Sequence, residues 1–106
     1  MLKLSVALCT HNPRRDYLDR TLAGLQQQSL GKEHWEFLLV DNASEVGNVC
    51  ETDARWHSQG RILKEAVPGL THARLCAMAA ARADILLFVD DDNVLDPDYL
   101  LNAVQI

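Results

Sequence analysis

Three consecutive carboxylates, Asp90, Asp91 and Asp92, are the residues of this chain best suited to chemistry. They directly follow the apolar run Ile-Leu-Leu-Phe-Val at 85–89, whose composition is typical of a strand buried on both faces in a parallel sheet. Adjacent negative charges repel one another unless a cation or hydrogen-bond donors offset them. Proteins hold Mg²⁺ with one or two carboxylates together with substrate phosphates. The triplet therefore predicts a metal site past the end of a buried strand; the alternative is a solvated acidic turn.

Two further polar segments follow predicted strands. The segment Thr-His-Asn-Pro-Arg-Arg at 10–15 follows a first strand over 2–9, and Asp-Asn-Ala-Ser at 41–44 follows a second strand over 35–40. Because the carboxyl ends of parallel strands share one edge of a sheet, both segments would converge with the carboxylates on one crevice. Each segment alone also reads as an ordinary turn or helix start. Their convergence is what favours a ligand site.

The elements between these segments alternate between strand and helix. Apolar periodicity predicts a helix over 16–28 with a C-cap at Gly31, an irregular helix over 49–56, and an edge strand over 61–64. A last helix, with Asp96 as its N-cap and Pro97 at its first position, runs to the chain end. The helix over 70–82 would pack through Leu70, Ala73, Ala77, Met78 and Ala81. This order predicts an α/β fold of three layers, α/β/α, with a mostly parallel, Rossmann-like sheet.

Composition limits the class of protein. The chain has 106 residues, enough for one domain, and its net charge of −5 is the opposite of a nucleic-acid-binding surface. No apolar run reaches the roughly 18 residues of a membrane span, and the apolar N-terminus is too short for a signal peptide. Three cysteines without metal-ligand spacing predict reduced thiols in the cytosol. The last predicted helix lacks a C-terminal signal, which predicts a truncated domain.

The ordered motifs resemble glycosyltransferase family 2, whose enzymes have the GT-A fold. The matching segments are Cys-Thr-His-Asn-Pro at 9–13, Phe-Leu-Leu-Val-Asp-Asn-Ala-Ser at 37–44, the stretch 65–74 ending in Ala-Arg, and 88–100 with its Asp triplet. They stand in family order across almost the whole chain. The resemblance implies that residues 1–106 are the nucleotide-sugar-binding half of a GT-A domain that lacks its acceptor-binding half.

The resemblance also implies roles in binding the donor. The loop after the first strand would line the base and ribose pocket, Asp41 would accept a hydrogen bond from the nucleobase, and Arg74 would lie near the nucleotide. Arg14 and Arg15 would add charge near the diphosphate, and two solvated arginines at a helix start are an equally good interpretation. The residues implied to contact the nucleotide sugar are Thr10, His11, Asn12, Arg14, Asp41, Arg74, Asp90 and Asp91.

Asp90 and Asp92 bracket the family's DXD motif and would bind Mg²⁺ or Mn²⁺, with Asp92 as the direct ligand. The cation would act as a Lewis acid on the departing nucleoside diphosphate. Leu75 and Ala77 depart from the family, which has Asn and Gly at those positions. No catalytic base is identified in the chain, and the resemblance implies that it lies beyond Ile106.

Two other functions stay open. One is a non-catalytic nucleotide-binding or interaction module of the same fold. The other is a Mg-dependent phosphohydrolase with Asp90 as nucleophile. This function is the weaker alternative, because the other motifs of such an enzyme would have to follow Asp92 and only 14 residues do. The acceptor is undefined (a sugar, a lipid-linked sugar or another molecule), and self-association through exposed apolar surface is expected. The expected location is the cytoplasm, including the inner membrane face if other regions attach the protein there.

Overall fold

The computed structural model describes residues 1–45 and 49–105, and the alternation of strands and helices is as predicted. A single 3₁₀ turn, Lys32–His34, precedes the second strand. The irregular helix predicted over 49–56 is a single short turn, and the predicted helix end at Ile106 lies outside the described residues. The strands are β1 (Leu4–Thr10), β2 (Trp35–Asn42), β3 (Gly60–Glu65) and β4 (Leu86–Asp90), and the α-helices are α1 (Arg15–Gln26), α2 (Thr52–Arg55), α3 (Leu70–Ala80) and α4 (Tyr99–Val104).

The four strands form one parallel sheet in the order β3-β2-β1-β4. Thr10 at the end of β1 stands opposite Asp41 on β2, and Cys9 stands opposite Asp90 on β4. The parallel register therefore places the ends of three strands at one edge. The predicted α/β fold with a parallel sheet is confirmed, and β3 is an edge strand as predicted.

Alternate side chains of the central strands face two apolar clusters on opposite sides of the sheet. On one side, Val6, Leu8 and Phe37 pack with buried leucines of α1 and α4. On the other side, Ala7, Leu38 and Val40 pack with two alanines of α3. Because both faces of β1 and β2 are covered, successive residues of these strands are apolar, as in other parallel sheets.

β4 is more exposed than its composition predicts. Leu86, Leu87 and Phe88 are half-buried, and Ile85 just before the strand is 49% exposed. Among the described strands β4 pairs with β1 alone, so one edge of β4 is open. The prediction of a strand buried on both faces is therefore wrong for this structure. An apolar run does not distinguish an edge strand from a central one.

α3 packs against the sheet through small side chains. Ala73 and Ala77 are buried, whereas Leu70, Leu75 and Met78 are 52%, 55% and 58% exposed. The prediction that Leu70 and Met78 belong to the packed face is wrong, because it is the alanines that face the sheet. The larger side chains leave an apolar surface on the outside of α3, and the expected self-association stays a prediction.

Two predicted helix signals mark other structures. Gly31 is not the C-cap of α1, because the helix ends well before it and Gly31, with φ −57°, precedes the 3₁₀ turn. α4 begins at Tyr99, because the Asp96 carboxylate accepts a hydrogen bond from Asp98 N–H at 2.8 Å and closes a turn before the helix. Within residues 1–45 and 49–105, every helix is too short or too polar to cross a membrane.

Candidate functional site

The ends of β1 and β4 are joined by a side-chain hydrogen bond. Thr10 Oγ1 donates to Asp91 Oδ2 at 2.6 Å, although 81 residues separate the two in sequence. Thr10 is 3% exposed, so its hydroxyl is held rigidly by the sheet. The carboxylate of Asp91 is therefore directed toward the loop after β1, which brings two of the three predicted segments together.

The imidazole of His11 is fixed by the end of β2. Its Nδ1 lies 2.6 Å from the carbonyl oxygen of Asn42. Because a carbonyl oxygen can only accept a hydrogen bond, Nδ1 carries the proton. Nε2 then accepts from Asn12 Nδ2 at 3.2 Å. This pair of hydrogen bonds corresponds to the tautomer with the proton on Nδ1 and the lone pair on Nε2.

Asn12 connects the loop after β1 with the loop after β2. Its backbone N–H donates to Ser44 Oγ at 2.9 Å, and its Oδ1 accepts from Glu45 N–H at 2.7 Å. Asn12 and Ala43 both have positive φ, 45° and 53°. Non-glycine residues adopt this region at a cost, which asparagine bears better than most. The hydrogen bonds between the loops offset this cost and hold both loops in place.

A pocket of about 300 Å³ opens between these loops and the start of α3. Most of its wall is apolar and a few polar side chains line it as well, which is typical of small-molecule sites. Burial raises the pKa of the Cys9 thiol to about 11 although Arg74 nearby opposes the shift, so this thiol is neutral near pH 7. The lining residues are Cys9, Thr10, His11, Asn42, Pro68, Gly69, Leu70 and Ala73.

Asp41 lies beside a second cavity, of about 230 Å³, which Lys64 and Glu65 also line. Its Oδ1 is buried and has no hydrogen-bond partner in the part of the chain that the structure describes. A buried polar atom without a partner typically costs about 1–3 kcal/mol. An N–H donor from a ligand would remove that cost.

Asp90 and Asp92 are exposed at the end of β4. The backbone turns between them, where Asn93 N–H donates to Asp90 O at 3.4 Å. Within the described residues, no group of three or more His, Cys, Asp or Glu side chains could hold a metal ion. Carboxylate oxygens are nevertheless the hard ligands that Mg²⁺ and Mn²⁺ take, and diphosphate oxygens would complete the coordination. The donor set fits such a cation in the presence of a phosphorylated ligand.

The two arginines predicted for the site are placed differently. The Arg74 guanidinium lies 5.3 Å from the centroid of the Phe88 ring, which is within cation–π distance. Phe88 precedes Asp90 by two residues. Arg14 contacts its own helix start, with Nη2 2.9 Å from Asp16 Oδ2 and Cζ 4.0 Å from the Tyr17 ring centroid. Arg74 is therefore close to the carboxylate end of the site, whereas Arg14 does not line the larger pocket.

Asn42 is a site residue whose role the sequence pattern does not reveal. Its carbonyl binds His11 and its buried side chain contacts the turn before α3. An Asp-Asn pair after a strand indicates a turn, but nothing in it specifies which backbone groups the amide will meet. A single sequence does not distinguish a buried asparagine from an exposed one.

The sequence matches the family model described as "Glycosyl transferase family 2" over residues 5–106. The chain therefore belongs to glycosyltransferase family 2, as its motifs predict. It is 31% identical over 107 residues to the uncharacterized protein y4gI of Sinorhizobium fredii (strain NBRC 101917 / NGR234). The match covers 97% of this chain and 12% of that protein.

Solved structures of longer proteins share the fold. A crystal structure of S. aureus TarS matches with a TM-score of 0.83 at 23% identity, over 98% of this chain and 19% of that one. TarS 1-349 in complex with UDP-GlcNAc matches with a TM-score of 0.81 at 24% identity, over 98% of this chain and 30% of that one. The mannosyltransferase PcManGT from Pyrobaculum calidifontis, in complex with GDP-Man and Mn²⁺, matches with a TM-score of 0.83 at 25% identity, over 97% of this chain and 31% of that one. The chain thus has part of a GT-A fold and spans less than a third of these relatives.

Proposed function

We propose that this chain binds the nucleoside diphosphate of a sugar donor, as part of a glycosyltransferase. The observation that carries the proposal is the hydrogen bond between Thr10 and Asp91, because it joins the pocket beside β1 to the carboxylates after β4. A nucleotide needs both: a partly apolar pocket for its base and ribose, and a place for a cation beside its phosphates. The complexes of TarS with UDP-GlcNAc and of PcManGT with GDP-Man and Mn²⁺ support this reading.

Each part of the site has a task in this proposal. Thr10 and His11 line the base and ribose in the 300 Å³ pocket. Asp41 lines the separate 230 Å³ cavity, and its buried Oδ1 accepts a hydrogen bond from an N–H of a base that extends into that cavity. Asp92 and Asp90 hold Mg²⁺ or Mn²⁺, which supplies positive charge to the departing diphosphate. Asp91, held by Thr10, lies beside the ribose, and Arg74 adds charge nearby.

The second substrate is less defined. The acceptor is a sugar, a lipid-linked sugar or another hydroxyl compound. We also propose a cytoplasmic location, which the free thiols of Cys9, Cys50 and Cys76 support because cytosolic proteins keep thiols reduced.

Thermal melts with and without nucleotide test the proposal. The melting temperature of the purified protein should rise with UDP, GDP or dTDP in the presence of Mn²⁺, since a ligand that binds the folded state at 100 times its Kd stabilises it by about 2.7 kcal/mol. Asp92→Ala should lose the Mn²⁺-dependent part of this rise. Asp84→Ala removes an exposed carboxylate at the opposite end of β4 and should keep it.

Two results would contradict the assignment in different ways. A protein stabilised by none of the three nucleotides would refute donor binding and favour a non-catalytic interaction module. A full Mn²⁺-dependent rise in Asp92→Ala would leave donor binding intact and refute the metal ligand.

A further inference from the structure

The buried side-chain amide of Asn42 makes three hydrogen bonds within the protein. It is 4% exposed. Its Nδ2 donates to the carbonyl oxygens of Glu65 and Val67 at 3.2 and 2.8 Å, and its Oδ1 accepts from Gly69 N–H at 3.0 Å. Both donors and one acceptor position of the amide are therefore used by a single stretch of backbone, residues 65–69.

This stretch forms part of the wall of the 300 Å³ pocket, because Pro68 and Gly69 line it together with His11. Gly69 has φ 128°, a conformation that residues with a side chain rarely adopt, so this turn requires a glycine. Ala43 N–H adds one more bond, to Glu65 O at 2.9 Å. The shape of this wall thus depends on the end of β2.

The carbonyl of the same asparagine fixes another lining residue of the pocket, His11. It accepts the hydrogen bond from His11 Nδ1 at 2.6 Å, and this bond sets the orientation and the tautomer of the ring. One residue on a buried strand therefore contacts two parts of the pocket wall, the turn 65–69 and His11. A pocket that is already formed binds more tightly than one whose walls must be ordered when the ligand arrives.

We propose that Asn42 is a positioning residue for the nucleotide, which holds the turn 65–69 against the His11 loop so that the pocket is formed before the ligand binds. The inference rests on the proposed function. It predicts a specific weakness: in Asn42→Asp, a carboxylate oxygen would stand opposite the Glu65 and Val67 carbonyl oxygens. Oxygen would repel oxygen there, and the turn would move outward.

Gln28 offers a matched control, because its amide makes the same three kinds of bond with residues that do not line the pocket. It is 8% exposed, its Nε2 donates to Gly24 O at 3.0 Å and Asp96 O at 2.8 Å, and its Oε1 accepts from Leu100 N–H at 2.9 Å. Gln28→Glu therefore removes the same two donors as Asn42→Asp. Any general effect of breaking a buried amide network should appear in both variants.

Calorimetric titration of the purified variants with UDP, GDP or dTDP and Mn²⁺ tests the inference. We expect both variants to melt at a lower temperature, Asn42→Asp to lose about tenfold or more in nucleotide affinity, and Gln28→Glu to stay within about twofold of the wild type. Equal affinity losses in the two variants, or no loss in Asn42→Asp, would overturn the positioning role. Should Asn42→Asp fail to fold, Gly69→Ala strains the same turn without touching the Asn42 donors, and unchanged affinity in that variant would overturn it as well.

Hydrogen exchange separates this inference from the proposed function. In the absence of nucleotide, the amide of Gly69 should exchange faster in Asn42→Asp than in the wild type or Gln28→Glu, because the displaced turn loses its hydrogen bond. A wild-type protein that binds none of the nucleotides would refute the proposed function, and the exchange rate of Gly69 would still decide whether Asn42 holds the turn. Equal exchange in all three proteins would refute it.

Discussion

Replacing Glu36 with glutamine should weaken the fold strongly while leaving nucleotide binding unchanged. The side chain of Glu36 is 1% exposed and lies near the start of β2, at the opposite end of the sheet from the candidate site. Its Oε2 accepts from Ser5 Oγ and from Arg82 N–H, both at 2.6 Å, and its Oε1 accepts from Arg61 Nη2 at 3.2 Å. This carboxylate therefore ties β1, β3 and the segment after α3 together.

The expected loss follows from these contacts. The amide nitrogen of a glutamine can replace only one carboxylate oxygen, and it would face either the two donors on Oε2 or the arginine on Oε1. A hydrogen bond to a charged group contributes about 1.5–3 kcal/mol, and leaving its buried donor unpaired costs more. The partly exposed Arg61 adds little, because solvent screens its charge. We expect a loss of about 3 kcal/mol in the free energy of unfolding, or about 12–20 °C in melting temperature for a domain of this size.

The effect should depend on pH in one direction. Burial alone would raise the pKa of Glu36, but the hydrogen bonds from Ser5, Arg82 N–H and Arg61 hold it below its usual range. A carboxyl group whose pKa is lowered in the folded state stabilises the fold above its unfolded pKa, about 4.3, and loses this contribution as the pH falls through the folded value. The difference between the wild type and Glu36→Gln should therefore be constant above about pH 5 and shrink below it.

Urea unfolding followed by circular dichroism from pH 7 to pH 3 measures this difference. Glu33→Gln is the control, because the Glu33 side chain is 73% exposed and the substitution should leave stability unchanged. A Glu36→Gln protein within about 1 kcal/mol of the wild type at pH 7, or a difference that grows on acidification, would refute the reasoning. Reduced nucleotide affinity in a folded Glu36→Gln protein would show that this network reaches the site.

Three further outcomes are expected. Thr10→Val should lose about 1–2 kcal/mol of stability and part of the Mn²⁺-dependent rise with nucleotide, because Asp91 loses its 2.6 Å bond; melts that match the wild type would contradict this. Gly60→Ala should lose about 2 kcal/mol or more in urea unfolding, because a Cβ there would lie 1.9 Å from Ala54 O, and a neutral result would mean that the turn relaxes freely. Burial lowers the pKa of His57, so stability should fall as the pH drops below about 6.5; tryptophan fluorescence of the wild type and His57→Asn should show this part of the acid sensitivity only in the wild type.

The sheet could be predicted because its signals are local. The apolar runs before Thr10, Asp41 and Asp90 mark strands whatever else the chain does, and intervening helices require parallel pairing. The convergence of the three strand ends followed from that topology. The bond between Thr10 and Asp91 is one instance of it.

Other features depend on contacts between residues far apart in the chain, which a single sequence does not reveal. In α3 the alanines and the larger apolar residues alternate around the helix, so periodicity alone could not show that Ala73 and Ala77, and not Leu70 or Met78, face the sheet. Glu36 lies within an apolar strand, and only the approach of Ser5, Arg61 and Arg82 makes its burial tolerable. Such long-range polar contacts arise from packing.

The strand order also determines when the site can form during folding. β1, β2 and β3 come from the first 65 residues, whereas β4 must return across a long stretch of chain to pair with the open side of β1. Closing a longer loop costs more chain entropy, and such non-local parallel pairing is slow. Trp35 and Trp56 both lie in the part that can fold first. In a refolding experiment their fluorescence should therefore reach its native value before the proposed nucleotide binding returns, because the acidic residues join the sheet last.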